Sequence, residues 1–283
     1  MGLIDSLFFP IAKHFIAGAN LEDAMTTAKE MNSRGFKVIV NFLGEEIKDE
    51  KELEQTMIEY LSIFDQMDRN KVDGCVSVKL TQLGLTMGLE RAEGNLHRIV
   101  DRARKSGTYL WVDMEGSPYT EQTIELYLKE IKDYDRMGIA IQAYLRRTSG
   151  DIDRLVKEGG QIRLCKGAYN EPASVAFKDK KEVKDNYSEM MKKLFAQKAF
   201  FAVATHDAEL QDEAKSLAGG DRSSFEFQML RGVREELGRK LLGDGYRLSV
   251  YLPYGANWLP YGMRRMKERR RNILLLFRSL ISG

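Results

Sequence analysis

The chain has 283 residues, 43% of them apolar, and a formal net charge of +2. That length and composition suit one large α/β barrel or two small domains and leave out a disordered chain; the charge balance leaves out a strong overall field toward nucleic acid. No run approaches the roughly 18 apolar residues of a membrane span, and Cys75 and Cys165 sit in strand-like runs as reduced core residues.

The opening MGLIDSLFFPIAKHF has neither the basic leader nor the apolar length of a signal peptide, so the chain reads as cytoplasmic. Asn20 then caps a helix that stops at Gly35, and residues 1–35 read as an N-terminal helical arm. From there short β-branched and aromatic runs alternate with amphipathic stretches. The predicted strands are 37–44, 76–83, 109–115, 138–145, 161–169, 200–207, 225–230 and 247–254. Between the first two, residues 49–69 place Leu53, Met57, Leu61 and Phe64 on one stripe. Thr120 is the expected cap of a helix through Asp135, and Ser149 or Asp151 of a short helix before Gly159. A polar loop, NEPASVAFKDKKEV, precedes a helix expected at 184–198. Strict β–α alternation implies a parallel sheet covered by helices. Eight units within this length fit a closed (β/α)8 TIM-type barrel over residues 36–283 better than an open sheet.

In such barrels chemistry sits where the strands end. The strands here end in polar groups: Lys79, Thr81 and Gln82; Asp113 and Glu115; Gln142 and Tyr144; Arg163 and Lys166; Thr205, His206 and Asp207; Glu226 and Gln228; Tyr251 and Tyr254. One charge inside a strand is usually a structural ion pair. Polar groups near the end of seven strands make a site, rich in cations and donors, that suits an anionic or electron-rich ligand. HExxH, paired CxxC, the P-loop, GxSxG and the dinucleotide turn GxGxxG are all absent. His14 and His97 lie in helical patterns and read as surface or satisfied residues, which leaves His206 as the site histidine. After the last strand, Tyr261, Arg264, Arg265 and Glu268 share one face of a helix. Two adjacent guanidinium groups beside a tyrosine can hold a carboxylate, although a solvated basic face, continuing through Arg269–Arg271, explains the same residues.

The segments SVKLTQLGL, VDMEGSPYT, IQAYLRR, RLCKGAYNEP, ATHDAEL, FEFQMLRGV and YLPYGANWLPYGMRRMKER occur in that order. In this the chain resembles the monofunctional bacterial and archaeal proline dehydrogenases over nearly its whole length. The resemblance implies a distorted barrel whose last helix lies over the mouth, with FAD held non-covalently by strand ends. It implies that Lys79, Arg264 and Arg265 bind the proline carboxylate, and that Leu230, Tyr251 and Tyr261 box the pyrrolidine ring. Asp113 matches an active-site acid that orders the charges around it. Arg163 is expected beside flavin N5. Met114, Gln142, Lys166, Gly167, Ala168, Thr205, His206 and Glu268 are expected around the flavin. The implied reaction is oxidation of L-proline to Δ1-pyrroline-5-carboxylate, with electrons passed to a quinone and peripheral contact with the inner face of the membrane left open. Three positions depart from the family: Arg231 for tyrosine, Asn41-Phe42 for Asp-His, and Arg270 for proline. The rival readings are a Schiff-base aldolase using Lys79 or Lys166, and a basic-surface binding protein without enzymatic activity.

Overall fold

The computed structural model describes residues 14–256 and 258. Eight strands, Lys37–Phe42 (β1), Gly74–Val78 (β2), Leu110–Val112 (β3), Met137–Gln142 (β4), Gln161–Cys165 (β5), Phe201–Ala204 (β6), Phe225–Leu230 (β7) and Leu248–Tyr254 (β8), form a closed barrel in chain order. Every neighbouring pair is parallel, and β8 closes on β1. The described helices are Leu21–Ser33 (α1), Glu50–Asn70 (α2), Leu89–Ser106 (α3), Thr120–Glu130 (α4), Thr148–Lys157 (α5), Lys180–Ala196 (α6), Ala208–Leu217 (α7) and Glu235–Gly243 (α8). The expected barrel is therefore present. The final helix expected over its mouth falls at residues outside those described.

Local chemistry sets the helix ends. Asn20 accepts from the Asp23 N–H and starts α1, whose buried Ala24, Met25, Ala28 and Met31 face β1 and β8. Asp49 starts α2 the same way, and its buried stripe runs Leu53, Met57, Tyr60, Phe64 and Met67. Tyr60 takes the place expected for Leu61, which is only half-buried. Thr120 does not cap α4: the single-turn helix Ser117–Tyr119 leads into it, and Thr120 is buried within. That helix ends at Glu130 rather than 135, and the chain then folds back so that the Tyr134 hydroxyl donates to Thr108 O at 2.9 Å. Neither Ser149 nor Asp151 caps α5; Asp151 accepts from Arg147 instead, at 2.8 Å. Helix α6 starts four residues before its expected position because Asp179 caps it.

Strands β1 to β6 end earlier than expected from their sequence pattern, whereas β7 and β8 end at 230 and 254 as expected. Past Val78 the chain turns on itself, with Gln82 N donating to Lys79 O at 3.1 Å and Leu83 N to Leu80 O at 3.0 Å. Residues 79–82 are thus a turn on the barrel rim, and 166–169 likewise lie beyond the end of β5. His14 is also in a turn rather than a helix, whereas His97 lies in α3 with Nδ1 3.2 Å from Glu130 Oε2.

Candidate active site

Alternation along the strands sends one set of side chains inward. Ala140, Arg163, Ala202 and Glu226 are in register across β4 to β7, and Ser77, Trp111 and Gly138 across β2 to β4. The small residues make room for the large ones. A Cβ at Gly138 would lie 2.2 Å from the Trp111 ring, so glycine lets this indole cross the interior. Arg163 then lies over the indole, its guanidinium carbon 4.5 Å from the ring centre.

Asp113, one residue beyond β3, gathers the charges. Its Oδ1 accepts from Ser77 Oγ and Arg163 Nη1, both at 2.5 Å; its Oδ2 accepts from Lys79 Nζ at 2.9 Å and Tyr251 Oη at 2.6 Å. Side-chain exposure is 12% for Lys79 and Asp113 and 7% for Arg163, so these pairs are shielded from solvent. Burial alone would raise the Asp113 pKa, but Lys79, Arg163, Ser77 and Tyr251 together hold it well below the usual carboxylate range. Lys79 is held protonated: burial works against its charge and Asp113 outweighs that. Arg163 also donates from Nε to Gln228 Oε1 at 2.5 Å. Its Nη2 is buried with no hydrogen-bond partner among the described residues.

Above this cluster a cavity of about 1230 Å³ opens, lined in part by Lys79, Asp113, Met114, Gln142, Arg163, Tyr169, Leu230 and Tyr251. Its wall continues through Lys166, Gly167 and Ala168, where Lys166 Nζ lies 2.7 Å from Asp207 Oδ2. Gly167 has φ +110°, and a Cβ there would strike the Tyr144 ring at 2.2 Å, so only glycine carries the chain past this ring. Gln142 is fixed by donating to Glu115 O at 2.8 Å. Glu115, its pKa raised by burial, accepts from Thr81 N at 3.0 Å and ties the ends of β2 and β3 together. Thr205 and His206 line the cavity after β6. His206 Nε2 accepts from Leu230 N at 2.9 Å, which leaves the ring proton on Nδ1 and joins the ends of β6 and β7. The Cys165 thiol beside the cavity is pushed up to about 12 by burial and is no nucleophile.

Of the residues expected at the site, Lys79, Asp113, Met114, Gln142, Arg163, Lys166, Gly167, Ala168, Thr205, His206, Leu230 and Tyr251 all face this one cavity. Tyr261, Arg264, Arg265 and Glu268 lie outside the described residues. Sequence reasoning gave no place to Ser77, Trp111 or Tyr169, and named Gln228 at a strand end without its partner. The first two could have been found by stepping back two residues from Lys79 and Asp113, which is the period of a strand. Asn41 of the departing Asn41-Phe42 pair lines the cavity and donates from Nδ2 to Ser77 O at 3.0 Å, and Arg231 lies at the end of β7. Both lysines offered by the aldolase reading are ion-paired, Lys79 with Asp113 and Lys166 with Asp207, and Lys79 is held protonated. Among the described residues no helix is long and apolar enough to cross a membrane, and no cluster of ligating side chains could hold a metal ion.

The family model described as proline dehydrogenase matches residues 24–273. Proline dehydrogenase 1 of Bacillus subtilis subsp. natto is 35% identical over 273 residues, 95% of this chain and 90% of that protein. Proline dehydrogenase of Deinococcus radiodurans is 31% identical over 281 residues, 96% of this chain and 91% of its own. Among solved structures, proline utilization A (PutA) of Bdellovibrio bacteriovorus, inactivated by N-propargylglycine, superposes with a TM-score of 0.86 at 23% identity. That match covers 93% of this chain but only 33% of the PutA chain, and it speaks for the barrel fold.

Proposed function

The chain belongs to the proline dehydrogenase family, enzymes of proline oxidation, and we propose that it oxidises L-proline to Δ1-pyrroline-5-carboxylate using non-covalently bound FAD. Bound FAD would supply the two-electron acceptor, taking hydride from C5 of the substrate ring at N5 and passing electrons on to a quinone. Residues 36–283 form the catalytic barrel in this reading, with residues 1–35 as its helical arm. The enzyme works in the cytoplasm and can meet the membrane at its inner face.

One observation carries the cofactor reading. Arg163 Nη2 is buried without a partner while its sister nitrogens are held by Asp113, Ser77 and Gln228. A buried donor left over is costly unless a ligand satisfies it. The cavity beside it is far larger than one proline needs and exceeds the usual volume of small-molecule sites. An isoalloxazine, electron-rich once reduced, fits that donor, and the wall from Gln142 through Lys166 to His206 has room for the rest of the dinucleotide.

The chain's own residues then divide the work. Lys79, with Arg264 and Arg265, grips the substrate carboxylate and sets the ring over the acceptor. Leu230, Tyr251 and Tyr261 enclose the ring. Asp113 orients Lys79, Arg163 and Tyr251; its depressed pKa makes it a poor base for the ring nitrogen. Met114, Thr205 and Glu268 complete the cofactor's surroundings. The visible spectrum of the purified protein tests the reading. A yellow protein that releases FAD on denaturation and is bleached anaerobically by L-proline is expected; a protein that neither retains nor binds FAD, or whose flavin proline does not reduce, overturns it.

A further inference from the structure

A second buried carboxylate stands behind Arg163. Glu226 and Gln228 are two apart on β7, so both point into the barrel, Glu226 one layer closer to its floor. Glu226 Oε1 accepts from Gln228 Nε2, and its Oε2 accepts from Ser249 Oγ at 3.3 Å. Gln228 Oε1 in turn accepts from Arg163 Nε at 2.5 Å. An ionised carboxylate can only accept. It therefore admits one of the two orientations of the neighbouring amide, with nitrogen toward Glu226 and oxygen toward Arg163. Turned by half a rotation, the amide would meet the guanidinium with its own donors, and Arg163 would lose the partner that fixes Nε.

Holding this carboxylate is unfavourable in itself. Burial raises its pKa, and Gln228, Arg163, Ser249 and Lys37 oppose that rise only in part. A leucine or methionine would fill the barrel floor more cheaply, as floors of such barrels are usually filled by branched apolar side chains. Glu226 touches neither Asp113 nor Lys79 in any hydrogen bond, so its contact with the charge cluster runs through Gln228.

We propose that Glu226 is a positioning residue: by fixing the amide of Gln228 it holds the Arg163 guanidinium in the one orientation that leaves Nη2 for the electron-accepting cofactor. The functional half of this inference rests on the flavin reading above; the geometric half does not.

Two measurements test the halves separately. The first follows hydrogen exchange of arginine Nε–H groups by nitrogen-15 NMR on the full chain. The Arg163 signal is assigned by its loss in Arg163→Lys, and Arg147, which pairs with Asp151, serves as an internal control. Glu226→Leu should speed exchange at Arg163 by about tenfold or more, the change expected on losing one hydrogen bond to a charged group, and leave Arg147 alone. Glu226→Gln, which keeps the shape but whose amide can turn either way, should fall between wild type and Glu226→Leu. Should the leucine variant fail to fold, the glutamine variant decides alone. Arg163 exchange indistinguishable from wild type in the folded variants overturns the proposal.

The second measurement uses the flavin-loaded protein. Glu226→Leu should lower the flavin midpoint potential and slow its reduction by proline about tenfold, while affinity for a proline-like carboxylate inhibitor stays within about twofold. A part in packing alone would lower the melting temperature and leave the potential where it was. If wild-type flavin is not reduced by proline, the functional reading falls, and the exchange measurement still decides whether Glu226 orders Arg163.

Discussion

Asp113→Asn should be strongly damaging for so conservative a change. The carboxylate accepts four hydrogen bonds, from Ser77, Lys79, Arg163 and Tyr251, and is the shared counter-ion of two shielded cations. Asparagine keeps the shape, loses the charge and turns an NH₂ group toward either Lys79 or Arg163. Removing one partner of a buried ion pair costs about 3–5 kcal/mol, because the remaining charge is left uncompensated. For a domain of this size that corresponds to a melting point roughly 6–20 °C lower. The loss should depend on pH with a definite sign. The folded-state pKa of Asp113 is depressed, so its stabilisation is in place above the unfolded value of 3.8 and disappears only as pH falls below that toward the lower folded value. The gap in melting temperature between wild type and Asp113→Asn should therefore stay constant from pH 8 to about pH 5 and narrow only in stronger acid. Calorimetry across that range, with flavin content and proline turnover measured alongside, provides the check. A variant that melts within a degree or so of wild type at neutral pH would refute the view of Asp113 as the counter-ion of both cations.

Two further changes probe separate parts of the site. Arg264→Met should weaken binding of a proline-like carboxylate by roughly tenfold to a hundredfold, read from a flavin absorbance titration, with FAD content little changed. Gly167→Ala forces a Cβ into the Tyr144 ring at φ +110° and should cost about 1–3 kcal/mol, with loss of bound FAD on gel filtration exceeding that of any neutral change on the outer helices.

The barrel was legible because its signals are local and repeated. Each strand is a short apolar run, and each Asn or Asp that caps a helix acts within three residues of its own position. Strand ends were overread because the chain past Val78 closes its backbone bonds within a turn on the rim, and past Cys165 the Lys166 carbonyl accepts from Tyr144 N outside the ladder. Thr120 was misplaced because a side chain able to cap is no evidence that the chain is extended there; Pro118 had already begun a helical turn. The aligned cations were visible as residue types. Their pairings were not, since Ser77, Trp111 and Gln228 reach Asp113 or Arg163 across separations of 36, 52 and 65 positions that only closure of the barrel brings together.

The charge balance inside the barrel supports the proposal that the substrate clamp draws on a segment after β8. Lys79 and Arg163 face two carboxylates, Asp113 and Glu226, the second reached through Gln228. At the rim, Lys166 is matched by Asp207. With these pairs formed, the interior has little uncompensated positive charge to offer an anion, and Lys79 shares its ammonium with Asp113 when it meets a substrate carboxylate. A substrate that carries a carboxylate into this setting requires cations beyond those of β1 to β8. Arg264 and Arg265, three and four residues beyond Tyr261 in sequence, are among the cations that follow the last strand. In the proposed function the strand-end cluster would order Arg163 beside the electron acceptor, and recognition of the carboxylate would fall chiefly to the two arginines. That separation is why Arg264→Met should act on substrate affinity while Asp113→Asn acts on the fold and on the electron-transfer end of the site together.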